Sequence, residues 1–208
     1  MLNIKFKGKY TNENQLINNK DLPKNAIQFK EGTNITHQFI QGMFIIFPIM
    51  IIMILTSILK IKSFSNNLTI NSDFLITFLI MLILSHFLTY IHEIIHALLY
   101  PKYAIKEIWK DSEQFAYFVY CDALVSKKRF IMICITPVVI LGIIPFFIWI
   151  IIAELLPINL SICFSILTWI MTFMGIGDFT NIYNTIVQVP KTARIFNYGL
   201  HSYWINIL

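Results

Sequence analysis

The residues whose types and spacing could do chemistry lie together in Thr89–Tyr100, which contains the run His92-Glu93-Ile94-Ile95-His96. On a helix, residues four apart project from one face, so His92 and His96 present both imidazoles to the same spot. Two imidazoles at that spacing can bind one Zn²⁺. Glu93 lies beside the metal position rather than on it, where a carboxylate can take the proton of an attacking water as general base. The alternative is a chance match on a buried helix. The setting weighs against chance. Phe74 to Leu88 is almost wholly apolar, and ionisable groups at the end of such a segment are costly unless they serve a function.

These residues need an apolar frame, and the composition provides one. Of the 208 residues, 57% are hydrophobic and 13% charged, with mean hydropathy +0.68. Soluble domains carry about 25% charged residues. The chain therefore reads as an integral membrane protein of one domain, an all-α membrane fold with the lipid bilayer as solvent. Four transmembrane helices are expected over residues 38–59, 74–100, 130–156 and 160–177. Pro101 closes the second, and Pro137 and Pro145 should kink the third. A small cytosolic β-hairpin is expected at about 104–124 between the second and third helices. There, two segments rich in β-formers flank Asp111-Ser112-Glu113. Residues 1–37 read as a polar cytosolic tail with a short strand in Leu2–Lys7 and turns at Leu22-Pro23 and Glu31-Gly32. Residues 38–189 form the membrane domain and 190–208 a second cytosolic tail. No cleavable signal peptide is visible.

Charge placement orients the spans. The segments outside them carry six, two, six, none and two Lys plus Arg in chain order. The positive-inside rule therefore puts both termini in the cytosol, with fourteen of the sixteen basic residues. His92, Glu93 and His96 then lie near the cytosolic face, and the fourth span ends at the same depth with Asp178. A catalytic zinc takes three protein ligands and an open position. The third ligand could be Asp178 or His201. Asp178 is favoured because a helix holds a ligand more firmly than a tail. Asn181, one turn on, could position a ligand or bind an oxyanion or substrate. His86, six residues before His92, is off the ligand face. Cys121, Cys134 and Cys163 are unclustered, which argues against thiolate zinc and a disulfide framework. No basic run interleaved with aromatics points to nucleic acid.

This constellation resembles the three-helix core of site-2 protease-type intramembrane metalloproteases. The shared features are His92-Glu93-Ile94-Ile95-His96 at a span end, a β-rich segment, a span with Pro137 and a span ending Gly177-Asp178. It departs in having Met174-Gly175-Ile176-Gly177 before Asp178 and Phe179 after it. More closely, residues 22–204 resemble the small bacterial membrane proteins described as "putative zincin peptidases". That resemblance implies Zn²⁺ at His92 and His96, Asp178 as third ligand, Glu93 as catalytic acid/base and a location in a bacterial plasma membrane. The function it implies is a zinc-dependent endopeptidase acting on membrane proteins or peptides. Two other classes are open. One is an inactive metalloprotein that acts by binding a partner. The other is a small ion-handling protein with His92, His96 and Asp178 as a relay, against which the lack of an internal repeat argues.

Overall fold

A computed structural model of the chain describes residues 3–17, 20–30, 35–65, 71–111 and 116–206, without the side chains of 35–38. Strand β1 (Ile4–Tyr10), a one-turn helix α1 (Asn14–Ile17) and strand β2 (Ile27–Gln28) precede two long helices, α2 (Ile35–Phe64) and α3 (Ser72–Leu99). Strands β3 (Lys106–Asp111), β4 (Ala116–Tyr120) and β5 (Val125–Ser126) follow. Next come α4 (Lys127–Val138), a π-helical turn (Val139–Ile143) and α5 (Ile144–Ile152). The chain ends with α6 (Ile158–Met174), α7 (Ile176–Gln188), β6 (Arg194–Tyr198) and β7 (His201–Ile205). Among the described residues, three helical segments are long and apolar enough to cross a membrane: Phe39–Phe64, Ser72–Leu99 and Lys127–Leu155. The pair α6 and α7, bent by 42°, makes a fourth if counted as one span.

Local chemistry sets the helix ends. The Asn71 side chain accepts a hydrogen bond from the Phe74 N–H at 2.9 Å and so caps α3. Pro101 disfavours helical backbone at Tyr100, which is extended (φ −66°, ψ 159°). Between the two prolines expected to kink the third span, the chain forms the π turn. The Ile144 N–H reaches Val139 O, five residues back, just before Pro145, which has no N–H to give. The outer face of α3 leaves Leu75, Ile76, Leu79, Ile80, Ile83 and Phe87 exposed, a continuous apolar surface that suits lipid rather than water.

The expected fourth helix is broken. It stops at Met174, turns at Gly175 and restarts at Ile176, which places Asp178 in the first turn of α7. A Cβ on Gly175 would lie 2.1 Å from Val138 Cγ2, so only glycine lets α4 approach this closely. Gly142 and Gly42 make comparable approaches. Their added Cβ atoms would meet Thr172 Oγ1 at 2.3 Å and Ile176 O at 2.6 Å. Gly142 thus lets the π turn pack on α6, Gly175 lets α4 pack on the break, and Gly42 lets α2 pack on the start of α7, which carries Asp178.

An all-α class with one hairpin is too narrow. The fold is mostly helical with two sheets, ordered β1-β3-β4 and β2-β7-β6-β5. Strands β3 and β4 pair antiparallel, Glu107 opposite Tyr120, within the expected 104–124 segment. Strand β1 adds in parallel to β3, Ile4 opposite Lys106, and the second sheet is antiparallel throughout. Strand β1 overlaps the short strand expected in Leu2–Lys7, although its partner β3 lies beyond α2 and α3. Of the strands that were not expected, β2 and β5 are too short to show a period. The expected turns at Glu31-Gly32 and at Ser112-Glu113 lie outside the described residues.

Candidate metal centre

Helix α3 brings His92 and His96 to one face with their rings 4.7 Å apart, both buried. The first turn of α7 brings Asp178 against them. His92 Nε2 lies 3.0 Å from Asp178 Oδ2, and His96 Nε2 lies 3.3 Å from Asp178 Oδ1. One atom from each of the three side chains falls within 4.8 Å of the others, and among the described residues this trio is the group able to hold a metal ion. Zinc bonds of about 2.0–2.1 Å in a tetrahedral site put neighbouring ligand atoms roughly 3.3 Å apart. The two imidazole–carboxylate separations, 3.0 and 3.3 Å, are close to that spacing, and the three-atom set is looser, within 4.8 Å.

Hydrogen bonding favours a cation as well. His96 Nδ1 lies 2.8 Å from Ile133 O. A carbonyl only accepts, so Nδ1 carries hydrogen and donates. That contact fixes the ring and turns Nε2 toward a carboxylate oxygen. A bare ring nitrogen and a carboxylate repel unless positive charge lies between them, as a ring proton or a divalent ion. Among the described residues His92 Nδ1 is buried without a hydrogen-bond partner, and the ring's hydrogen bond is the one to Asp178.

Glu93 lies beside the trio. Its Oε2 accepts the Val119 N–H of β4 at 2.9 Å, so an edge strand of the first sheet touches it directly. His92, Glu93, His96 and Asp178 share a cavity of about 260 Å³ walled by Phe118, Val119, Phe130, Ile133 and Met174. Asn181 lines the same cavity. His201 is elsewhere, in β7 opposite Tyr198, and does not line it. The His86 ring is 6.5 Å from that of Tyr117 on the outer side of α3. Tyr100 and Asn197 also line the cavity, and the sequence reading missed both. Tyr100 had a signal, since it follows His96 by four residues and so continues the His92–His96 face. Asn197 had none, because the second sheet alone carries it there.

The ends of both site helices are tied down by one basic run. Arg129 Nε donates to Leu99 O at 2.9 Å at the end of α3. Lys127 Nζ donates to Ile186 O at 3.0 Å and Val189 O at 2.6 Å at the end of α7. Cations there satisfy open carbonyls and oppose the helix dipole. Burial pushes the Cys121 thiol up to about 11.

No curated protein and no solved structure matches the chain significantly. A family model does match, over residues 85–194, the stretch that runs from the approach to His92 through Asp178 to β6. That stretch is just over half of the chain, which therefore belongs to the family described as "Putative zincin peptidase".

Proposed function

We propose that this protein is a zinc-dependent membrane endopeptidase in which His92, His96 and Asp178 hold the metal and Glu93 carries protons. One observation bears most of the weight: three ligand atoms from two separate helices converge at zinc-like spacing in a cavity that also holds Glu93. The family's description supports a peptidase that uses zinc. Zinc held there supplies a Lewis acid for the scissile carbonyl and lowers the pKa of a bound water to about 7. Glu93 takes the proton of the attacking water and delivers it to the leaving amine. Asp178 fixes the His92 ring, and Ile133 O fixes that of His96. Asn181, which lines the cavity, would bind substrate or position a ligand.

The substrate is a membrane protein or peptide whose cleaved segment is unwound, because a helix hides its carbonyls. The edge strand β4 is the natural support for it. A segment added there as a further strand would run past Glu93. Variants that break β3–β4 pairing and keep zinc should lose cleavage, and normal cleavage would remove β4 from this account. The chain crosses a bacterial plasma membrane four times with both termini in the cytosol. Residues 1–37 and 190–208 flank a membrane domain of 38–189 arranged as in site-2 proteases. The charge distribution and the depth shared by His92 and Asp178 support this arrangement.

The test is metal content and cleavage on detergent-purified full chain. Wild type should carry one zinc and His96→Ala almost none. Glu93→Gln should keep the zinc and lose turnover. A Glu93→Gln protein with unchanged function would make the chain a metal-holding binder instead.

A further inference from the structure

Tyr100 is four residues past His96 and eight past His92, at the point where α3 ends and the chain turns extended. Its side chain is 4% exposed, packed in the core beneath the site, yet it lines the cavity that holds His92, Glu93, His96 and Asp178. The phenol has one described hydrogen-bond partner. Asn197 Nδ2 donates to the Tyr100 oxygen at 3.2 Å. Asn197 itself is held on both sides. Its Oδ1 accepts the Ser202 hydroxyl at 3.1 Å from the facing strand, and its backbone carbonyl accepts the Tyr120 hydroxyl at 3.5 Å. With Oδ1 occupied by Ser202, the amide presents Nδ2 to Tyr100. The phenol oxygen therefore receives a hydrogen bond and keeps its own proton to give away. Nothing among the described protein atoms takes that proton, and the open space beside the ring is the cavity.

Cleavage of a peptide bond passes through a tetrahedral adduct whose former carbonyl oxygen bears negative charge. A fixed donor aimed at that oxygen stabilises the adduct more than the planar substrate, which is the condition for raising kcat rather than lowering KM. We propose that Tyr100 is a catalytic residue that donates its phenolic hydrogen bond to this oxyanion. Asn197 is the positioning residue that aims the phenol by occupying its lone pair. The assignment rests on the peptidase reading above. It joins the second sheet to the chemistry, because β6 carries Asn197 and β7 carries the Ser202 that orients it.

The experiment uses zinc-loaded full chain in detergent and two probes. One is a phosphinic pseudo-tripeptide with apolar side chains, whose tetrahedral phosphorus and anionic oxygens mimic the adduct. The other is the amide peptide of the same sequence, measured in the Glu93→Gln background so that it is not consumed. Tyr100→Phe should keep full zinc and bind the phosphinic peptide about 10²-fold more weakly, the order seen when one oxyanion donor is removed. Its affinity for the amide peptide should stay within about twofold, since that donor acts on the adduct rather than on the planar substrate. Asn197→Asp should show the same selective loss, because a carboxylate there takes the phenolic proton for itself. The double variant should be no worse than either single one, as expected for groups acting in series. Equal weakening of both probes would make Tyr100 a packing wall and overturn the assignment. So would wild-type phosphinic binding by Tyr100→Phe while His96→Ala abolishes it, which leaves the peptidase reading standing. If the wild type neither retains zinc nor binds the phosphinic peptide, the peptidase reading falls and this assignment falls with it.

Discussion

The two ends of the helix bundle treat buried polar groups in opposite ways. At the end away from the site, Met53, Phe146, Trp149 and Ala153 form a tight core between α2, α5 and α6. Both indoles there are satisfied. Trp149 Nε1 donates to Ser161 Oγ at 3.0 Å, and Trp169 Nε1 donates to Ser57 Oγ at 3.2 Å. At the site end, His92 Nδ1, Asn184 Nδ2 and Thr185 Oγ1 are buried without hydrogen-bond partners among the described residues, and a carboxylate faces two imidazoles. All three orphans lie on α3 and α7, the helices that supply the metal ligands. An unmade buried hydrogen bond costs about 1–3 kcal/mol. The far end pairs its indole donors within the protein, whereas the site end gathers two imidazoles and two carboxylates around one cavity.

The largest expected effects separate the ends outright. His96→Ala should strip zinc and abolish cleavage, yet leave the helical circular-dichroism signal in place, because the far core does not touch it. Glu93→Gln should lower kcat by about 10²–10⁴-fold with zinc content unchanged, the range for removing a general acid/base. Paired metal analysis and turnover measurements check both. A far-end variant that lost zinc as readily as His96→Ala would erase the contrast.

Next in size are packing changes. Trp149→Ala empties the far core and should cost about 3–5 kcal/mol of stability, read as a lowered melting temperature in detergent. Zinc bound per folded molecule should not change. Gly175→Ala should cost less, about 1–3 kcal/mol, since the new methyl must displace Val138. Yet it should weaken zinc, because Gly175 sets where α7 begins and hence where Asp178 points. The crossed outcome, with the larger destabilisation sparing the metal and the smaller one losing it, is the measurement that sharpens the comparison.

How much was legible in the sequence differs between the same two ends for physical reasons. Local patterns survive translation into structure. The run His92–His96 has a helical spacing, and α3 runs from Ser72 to Leu99 against an expected 74–100. Strands β3 and β4 fall inside 104–124, where two segments rich in β-formers flank Asp111-Ser112-Glu113. Asp178 was reachable because charge bias placed two span ends at one depth, although the break at Gly175 was not. That break depends on how near α4 comes, which no local pattern records. The alternation in Leu2–Lys7 marks β1 as a strand but not its pairing with a strand beyond two intervening helices, and Asn197 reaches the cavity through the register of β6 with β7. Such non-local pairings leave no period to read. Tyr100 is the instructive miss. It continued a face already identified, but a tyrosine at a helix end carries no chemical signature until its partner is seen.

The smallest effect tests whether the far end is as self-sufficient as its hydrogen bonds suggest. Ser161 is fully buried, and its hydroxyl is the acceptor for the Trp149 indole. Ser161→Ala leaves that N–H buried in an apolar core with nothing to bond. The expected cost is about 1–3 kcal/mol, below that of Trp149→Ala, because the indole keeps its packing and loses one contact. Trp149→Phe in the same background removes the stranded donor and should recover part of the loss, despite a smaller ring. Melting temperatures of the two single variants and the double variant form the cycle. A double variant less stable than the wild type by the full sum of the two single losses would mean that the two groups act independently, and the far end would then owe its order to packing alone.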